Sequence, residues 1–212
     1  LNYKIVQTSL DKFKTYEFLK NNELEYPNTY LANDFKSQDE FPMIFKLRSG
    51  QGSKGLKIIY SHGDIKESEL SSTNIIQEYL TDDDQEYTCC VFSDGKIFRS
   101  INIKRKLKGG FTYSGEVVES KLIDSYIEEI SKLLKLQGSI NLQLRMTNRG
   151  PVLFEINPRF SSTVVFRDKL GFSDLIWSIQ LKFGYKVEKY IKPRDGTKIY
   201  RGIDEYILEG RV

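Results

Sequence analysis

The strongest constraint on how this chain folds is a pair of β-prone runs, Glu86 to Phe92 and Lys96 to Ile103, separated by Ser93-Asp94-Gly95. A short glycine-containing connection between two such runs is a strong signal for an antiparallel hairpin. A second hairpin is read from Ser139 to Met146 and Val152 to Ile156, joined through Asn148-Arg149-Gly150. Between the two lies the clearest helix, Ser120 to Leu136. Ile123, Ile127, Ile130, Leu133 and Leu134 share one of its faces, and Ser120 is placed to cap it.

The remaining elements carry weaker signals. Ser9 to Asn22 reads as one helix capped by Ser9 or Asp11, and Pro27 to Leu31 as a short strand. Phe41 to Lys46 and Leu56 to Tyr60 read as strands around a glycine-rich turn, Ser49 to Gly55. That strand–loop–strand order differs from the strand–loop–helix of Walker and Rossmann phosphate loops. Asp64 to Leu70 is expected as a short helix, and Asn74 to Leu80 as a strand ending near Asp82-Asp83-Asp84. Phe172 to Lys182 is expected as a helix and Thr197 to Leu208 as a strand. The order is mixed α+β with antiparallel hairpins, without internal repeats.

Bulk properties exclude several classes. The 212 residues are 39% hydrophobic and 29% charged, enough for one large or two small domains with a real core. The net charge is only +3, and the densest basic run, Lys104-Arg105-Lys106, reads as a solvated strand edge, which argues against a nucleic-acid partner. No apolar run approaches the roughly 20 residues of a membrane span, and no signal peptide is visible. Cys89 and Cys90 are adjacent, so a strand sends them to opposite faces and they read as small core residues. Together these features predict a cytoplasmic, non-membrane protein. The chain begins with Leu1, and the expectation is a piece of a longer protein. His62, the only histidine, falls in a polar turn and is read as exposed, which argues against a serine-hydrolase triad.

Chemistry concentrates in the second hairpin. Alternation puts Glu155 and Asn157 on one face, and pairing through the turn can bring Gln143 beside them. One carboxylate and two amide oxygens suit a hard cation such as Mg²⁺ shared with phosphate oxygens. Arg159, two residues on, has the planar fork to reach a phosphoryl group, and Pro158 ends the strand rigidly just there. Upstream, Lys46 lies within an apolar strand, where a charge needs a partner such as a nucleotide phosphate. Gly50, Gly52 and Gly55 allow backbone N–H groups of the neighbouring loop to approach phosphate oxygens, and Lys54 adds charge. A strand leaving its sheet at Gln77-Glu78-Tyr79-Leu80 can offer backbone groups to an adenine edge, with Glu86 available to ribose hydroxyls.

Read together, these segments resemble the ATP-grasp superfamily, most closely the branch similar to the large subunit of carbamoyl-phosphate synthase. The matching stretches are Asp11-Lys12, Phe45-Lys46 with the 49–55 loop, Gln77 to Leu80 followed by Glu86-Tyr87-Thr88, Asn141-Leu142-Gln143, and Glu155 to Arg159. The resemblance implies an ATP-grasp fold, two α+β subdomains whose antiparallel sheets clasp ATP. Residues 1–80 would form the lid with a flanking N-terminal helix, and 81–212 the catalytic part, with a further N-terminal domain expected in cis. It implies phosphate contacts from Lys12 and Lys46, a closing loop containing Gly52, Ser53 and Lys54, and adenine held near Gln77, Glu78, Tyr79 and Leu80. Glu86 would hold the ribose, and Gln143, Glu155 and Asn157 would hold Mg²⁺ or Mn²⁺. Arg159, Lys46 and Arg105, or Lys106 beside it, would serve the transferring phosphoryl group. Leu47 departs from the proline that many relatives carry after the lysine. The implied activity is ATP-dependent activation of a carboxylate through an acyl phosphate, then attack by an amine or similar nucleophile. Carbamoyl-phosphate-type phosphotransfer and a nucleotide-binding regulatory domain without turnover stay open, as does a homodimer.

Overall fold

The computed structural model of the chain describes residues 1–36, 41–50, 55–80 and 86–202. In chain order the elements are α1 (Tyr3–Leu10), α2 (Lys12–Asn21), β1 (Thr29–Leu31), β2 (Met43–Leu47), β3 (Lys57–Ile59), β4 (Asn74–Glu78), β5 (Glu86–Ser93), β6 (Phe98–Lys108), β7 (Phe111–Val117), α3 (Lys121–Leu133), β8 (Gly138–Thr147), β9 (Gly150–Asn157), α4 (Val164–Lys169), α5 (Asp174–Lys182) and β10 (Lys198–Tyr200). The strands form two sheets, one of four in the order β1-β4-β2-β3 and one of six in the order β10-β7-β6-β5-β8-β9. Among the described residues every pairing is antiparallel. The class is α+β, as expected.

Local chemistry explains where the elements differ from expectation. The single helix over Ser9 to Asn22 is two helices, because Asp11 is extended (φ −117°, ψ 110°). Its carboxylate accepts from the N–H groups of Phe13 and Lys14, so it starts α2 rather than continuing α1. Ser9 is not a cap: it is buried inside α1, donating to the Ile5 carbonyl. The helix expected over Asp64 to Leu70 is replaced by two three-residue 3-10 turns, His62–Asp64 and Glu67–Glu69. Lys104-Arg105-Lys106 lies within β6: Lys104 pairs with both β5 and β7, and Arg105 and Lys106 pair with β7. Leu133 is 41% exposed, so the buried stripe of α3 is Ile123, Ile127, Ile130 and Leu134. The strand expected over Thr197 to Leu208 is described only as Lys198–Tyr200, and its later residues lie outside the described ones.

Among the described residues three cores hold the fold. One face of the six-stranded sheet (Cys89, Val91, Ile140, Leu142, Leu144, Leu153, Ile156) packs on α3, on Ile5 and Leu19 from the N-terminal helices, and on Leu24 just after them. On the other face Cys90, Phe92, Ile101 and Ile103 pack on Phe172 and Trp177. The smaller sheet buries Met43, Phe45, Ile59 and Ile76 on one side. The two sheets part between Glu78 and Glu86. The N-terminal helices, which the expected 1–80 unit groups with the smaller sheet, put their apolar residues into the core of the larger one. Cys89 and Cys90 are both free, buried and on opposite faces. His62 is exposed in its 3-10 turn, its ring 5.4 Å from Phe35 and 5.5 Å from Phe41. Among the described residues no helix is long and apolar enough to cross a membrane.

Candidate nucleotide and metal site

The site face of the larger sheet depends on a bulge. In the β8–β9 ladder Leu144 pairs with Leu153, but Gln143 pairs with Glu155, so Phe154 is an extra residue. Leu153 and Ile156, three apart, therefore both enter the same core. Strict alternation from Leu153 would have turned Glu155 inward; the bulge turns it to the face opposite the core. There it stands directly across from Gln143, and Asn157 stands across from Asn141. Directly opposed side chains on one face lie about 5 Å apart at Cβ. Gln143 and Glu155 are thus direct cross-strand neighbours, and Asn157 stands two residues along from Glu155 on the same face.

The smaller sheet answers from the other side. Cross-strand register places Lys46 and Gln77 on its second face, away from Met43, Phe45 and Ile76. Lys46 is buried, its ammonium donating to Gln77 Oε1 at 2.7 Å. Gln77 is oriented in turn by donating to the Thr29 hydroxyl at 2.8 Å. The Lys46 ammonium lies 5.8 Å from the centre of the Phe154 ring, contributed by the bulge. Burial pushes its pKa down to about 8, against the pull of the Glu155 carboxylate and with a further push from Lys12. Two ammonium groups and one carboxylate from different elements therefore feel one another here. Lys12 donates to the Gly50 carbonyl at 3.0 Å, where the chain enters the glycine loop. Asp11 pairs with Arg48 at 2.8 Å, fixing the start of α2 against the end of β2. Gly52, Ser53 and Lys54 of that loop lie outside the described residues.

Other expected residues take different places. Gln77 and Glu78 do not leave the sheet: they pair with Ile44 and Met43 inside the ladder. Gln77 acts through its side chain, on Lys46. The Glu78 N–H donates to the Asn28 carbonyl, and its carboxylate accepts from the Asn28 N–H and from Arg149 at 2.7 Å. The chain leaves the sheet after Glu78, at Tyr79 and the buried Leu80. Glu86 accepts two hydrogen bonds from Arg105 and one from Arg145, at 2.7 to 3.0 Å. Arg105, expected at the transferring group, is instead paired to Glu86, because a half-buried carboxylate holds a neighbouring guanidinium. Arg159 is exposed and donates to the Phe160 carbonyl at 3.2 Å.

Two features had no role in the sequence reading. Asn141 is 1% exposed; its carbonyl oxygen accepts from Thr88 and Cys90, leaving its amide nitrogen without a partner among the described residues. Its place opposite Asn157 adds an amide donor to the same face. The second is a buried polar cluster below that face, Arg167, Asp174, Ser161 and Thr163. Arg167 and Asp174 lie inside stretches of ordinary helical composition, so nothing in the sequence marks them.

The donor set fits a hard cation. Among the described residues no group of three or more His, Cys, Asp or Glu could hold a metal alone. One carboxylate, Glu155, with the amide oxygens of Gln143 and Asn157 suits an ion whose remaining ligands are phosphate oxygens.

Two antiparallel sheets facing each other over such a set define an ATP-grasp fold. Residues 9–163 match the model of the ATP-grasp domain, and the chain belongs to that family. It is 27% identical over 200 residues to an uncharacterized protein of Methanocaldococcus jannaschii, covering 90% of this chain and 49% of that one. It is 26% identical over 147 residues to the C-terminal section of the carbamoyl phosphate synthase large chain of Aquifex aeolicus, covering 61% and 27%. Among solved structures, an ADP complex of N5-carboxyaminoimidazole ribonucleotide synthetase superposes with a TM-score of 0.74 at 12% identity, covering 89% of this chain and 55% of that one. The chain thus spans about half the length of the first curated relatives it matches.

Proposed function

We propose that the chain holds Mg²⁺-ATP between its two sheets and uses it to activate a carboxylate for attack by an amine or similar nucleophile. The observation that carries this reading is that the ammonium of Lys46, from the smaller sheet, lies 5.8 Å from the ring centre of Phe154, beside Glu155 of the larger, and within reach of that carboxylate's charge. A buried ammonium whose hydrogen-bond partner, among the described residues, is a neutral amide oxygen is poised for an anion, and a carboxylate beside amide oxygens is poised for a cation. Metal-bound triphosphate supplies both.

In this reading Lys46 and Lys12 neutralise phosphate charge, and the backbone at Tyr79-Leu80 meets the adenine edge. Glu86, held by Arg105 and Arg145, takes the ribose hydroxyls. Gln143, Glu155 and Asn157 would hold Mg²⁺, which supplies charge neutralisation across the phosphates. The carboxylate oxygen of the substrate attacks the γ-phosphorus, and the bond to the β–γ bridging oxygen breaks, releasing ADP. Arg159 stabilises the charge on the transferring group from its loop. The amine nitrogen then attacks the acyl carbon, losing a proton as phosphate departs. The solved structure named above is an ADP complex of a synthetase, which supports the nucleotide part of the reading.

The test is ADP release by the full chain, screened over pooled carboxylates with and without pooled amines. Release that needs both supports ligation. Release with a carboxylate alone points to phosphotransfer. Nucleotide binding without release in any pool points to a regulatory domain.

A further inference from the structure

We propose that Arg167 is a positioning residue that sets the Pro158-Arg159-Phe160 arch, and through it the guanidinium of Arg159. The inference rests on the phosphoryl role given to Arg159 above.

The segment between β9 and α4 spans residues 158–163 and carries Arg159. Its first end is fixed by Asn157, paired with Asn141 in the ladder. Its second end is fixed by Arg167, whose Nη1 donates to the hydroxyls of Ser161 at 2.9 Å and Thr163 at 3.3 Å. Those two hydroxyls also bond each other at 2.7 Å. A third tie comes from Arg201, which donates to the Ser162 carbonyl at 2.6 Å. What spans the clamps is Pro158-Arg159-Phe160. Arg167 reaches that span too, since its guanidinium lies 5.9 Å from the centre of the Phe160 ring. Arg159 in turn donates to the Phe160 carbonyl. A continuous chain of contacts therefore runs from Arg167 through Phe160 to Arg159.

Arg167 is itself immobilised. Its Nε and Nη2 form a two-pronged pair with Asp174 at 2.8 and 2.9 Å, and both residues are 1% exposed. Ser139 donates to the same carboxylate. A buried ion pair is a poor route to stability, since apolar residues of the same volume do as well or better. A guanidinium fork, by contrast, fixes direction as well as distance, which suits holding a loop to the tolerance catalysis requires. The cluster also reaches the sheet: Cys90 lies 3.9 Å from Ser161 and 3.8 Å from Thr163, and its thiol donates to Asn141, the neighbour of Asn157.

The test uses the full chain and Mg²⁺-dependent ADP release, with the active substrate pool from the screen or, failing one, basal ATP hydrolysis. Ser161→Ala/Thr163→Val cuts the tie while leaving the Arg167–Asp174 pair whole. The expected result is a loss of kcat of about tenfold or more with KM for ATP within about twofold. Amide exchange over 158–164 should quicken. In an Arg159→Ala background the same pair of changes should cost nothing further in kcat, because the residue they act through is gone. Native kcat, unchanged exchange, or an equal further loss in the Arg159→Ala background overturns the proposal. If Arg159→Ala alone leaves kcat native, it is the phosphoryl role of Arg159 that fails, and the positioning role falls with it. Arg167→Lys keeps the charge but not the fork, and is expected to follow the Ser161/Thr163 variant.

Discussion

Lys46 and Glu155 sit on different sheets, yet the carboxylate of one acts on the acid strength of the other: Glu155 opposes the fall in the Lys46 pKa that burial, chiefly, and Lys12 impose. The two residues come from different sheets and act on each other through their charges, and several consequences can be measured.

The first concerns pH. Lys46 titrates near 8 in the free protein, below its ordinary 10.5. A lysine depressed in the fold binds fewer protons there than in the unfolded chain between pH 8 and 10.5, so its contribution to stability rises with pH across that window. Phosphate binding reverses the sign, because an anion favours the ammonium. Nucleotide affinity should therefore fall as pH rises above about 8, with proton uptake on binding near pH 8.5, measured by calorimetry in buffers of different ionisation enthalpy. Lys46→Met should weaken ATP binding by about tenfold or more, remove the uptake, and leave the ligand-free melting temperature no lower.

Glu155→Gln keeps the shape of the metal-facing side chain and removes its charge. Turnover should fall by about 10²-fold or more, in line with losing a preorganised charge, and higher Mg²⁺ should recover little of it. The circular-dichroism melt should change little, because Glu155 lies opposite the core face. Full activity in this variant would remove Glu155 from the metal site.

Asp174→Ala leaves the buried Arg167 guanidinium without its carboxylate. The expected cost in urea unfolding is about 3–5 kcal/mol. A double change of Arg167 and Asp174 to apolar residues of similar volume should cost much less than Asp174→Ala, which separates a structural debt from the positioning role of Arg167.

Cys89 and Cys90 are both fully buried, and burial raises both thiols above the ordinary range. A thiol reagent should therefore leave the native chain unmodified on the timescale in which it titrates both thiols in urea. Saturating Mg²⁺-ATP should slow modification further, since it adds stability only to the folded state.

Much of this was legible in the sequence, and the losses have physical causes. Ser93-Asp94-Gly95 and Asn148-Arg149-Gly150 are turn signals, so both hairpins were readable, and Ile123, Ile127 and Ile130 announced α3. The break at Asp11 was not, since an aspartate inside a helical run looks the same whether it caps or continues. Two residues of the expected adenine hinge, Gln77 and Glu78, remain in the ladder because their side chains are committed to Lys46 and Arg149. Those partners are 31 and 71 residues away, beyond any local pattern. Arg105 followed the same rule: a basic residue read as a candidate for the substrate was claimed by Glu86, 19 positions upstream. The pair of Gln143 and Glu155 was anticipated, but the bulge that turns Glu155 outward while both Leu153 and Ile156 go inward has no signature in Leu153-Phe154-Glu155-Ile156.

That bulge also fixes which changes of chain length β9 can absorb. Because Phe154 is surplus to the ladder, removing it restores plain alternation with Glu155 still opposite Gln143 and Asn157 still opposite Asn141. Removing Glu155 instead would seat Phe154 opposite Gln143 and take away the carboxylate, and removing Ile156 would turn Glu155 into the core. The length of this strand is therefore free by one residue at a single point, and what that freedom governs is the aromatic floor under Lys46, not the ligands beside it.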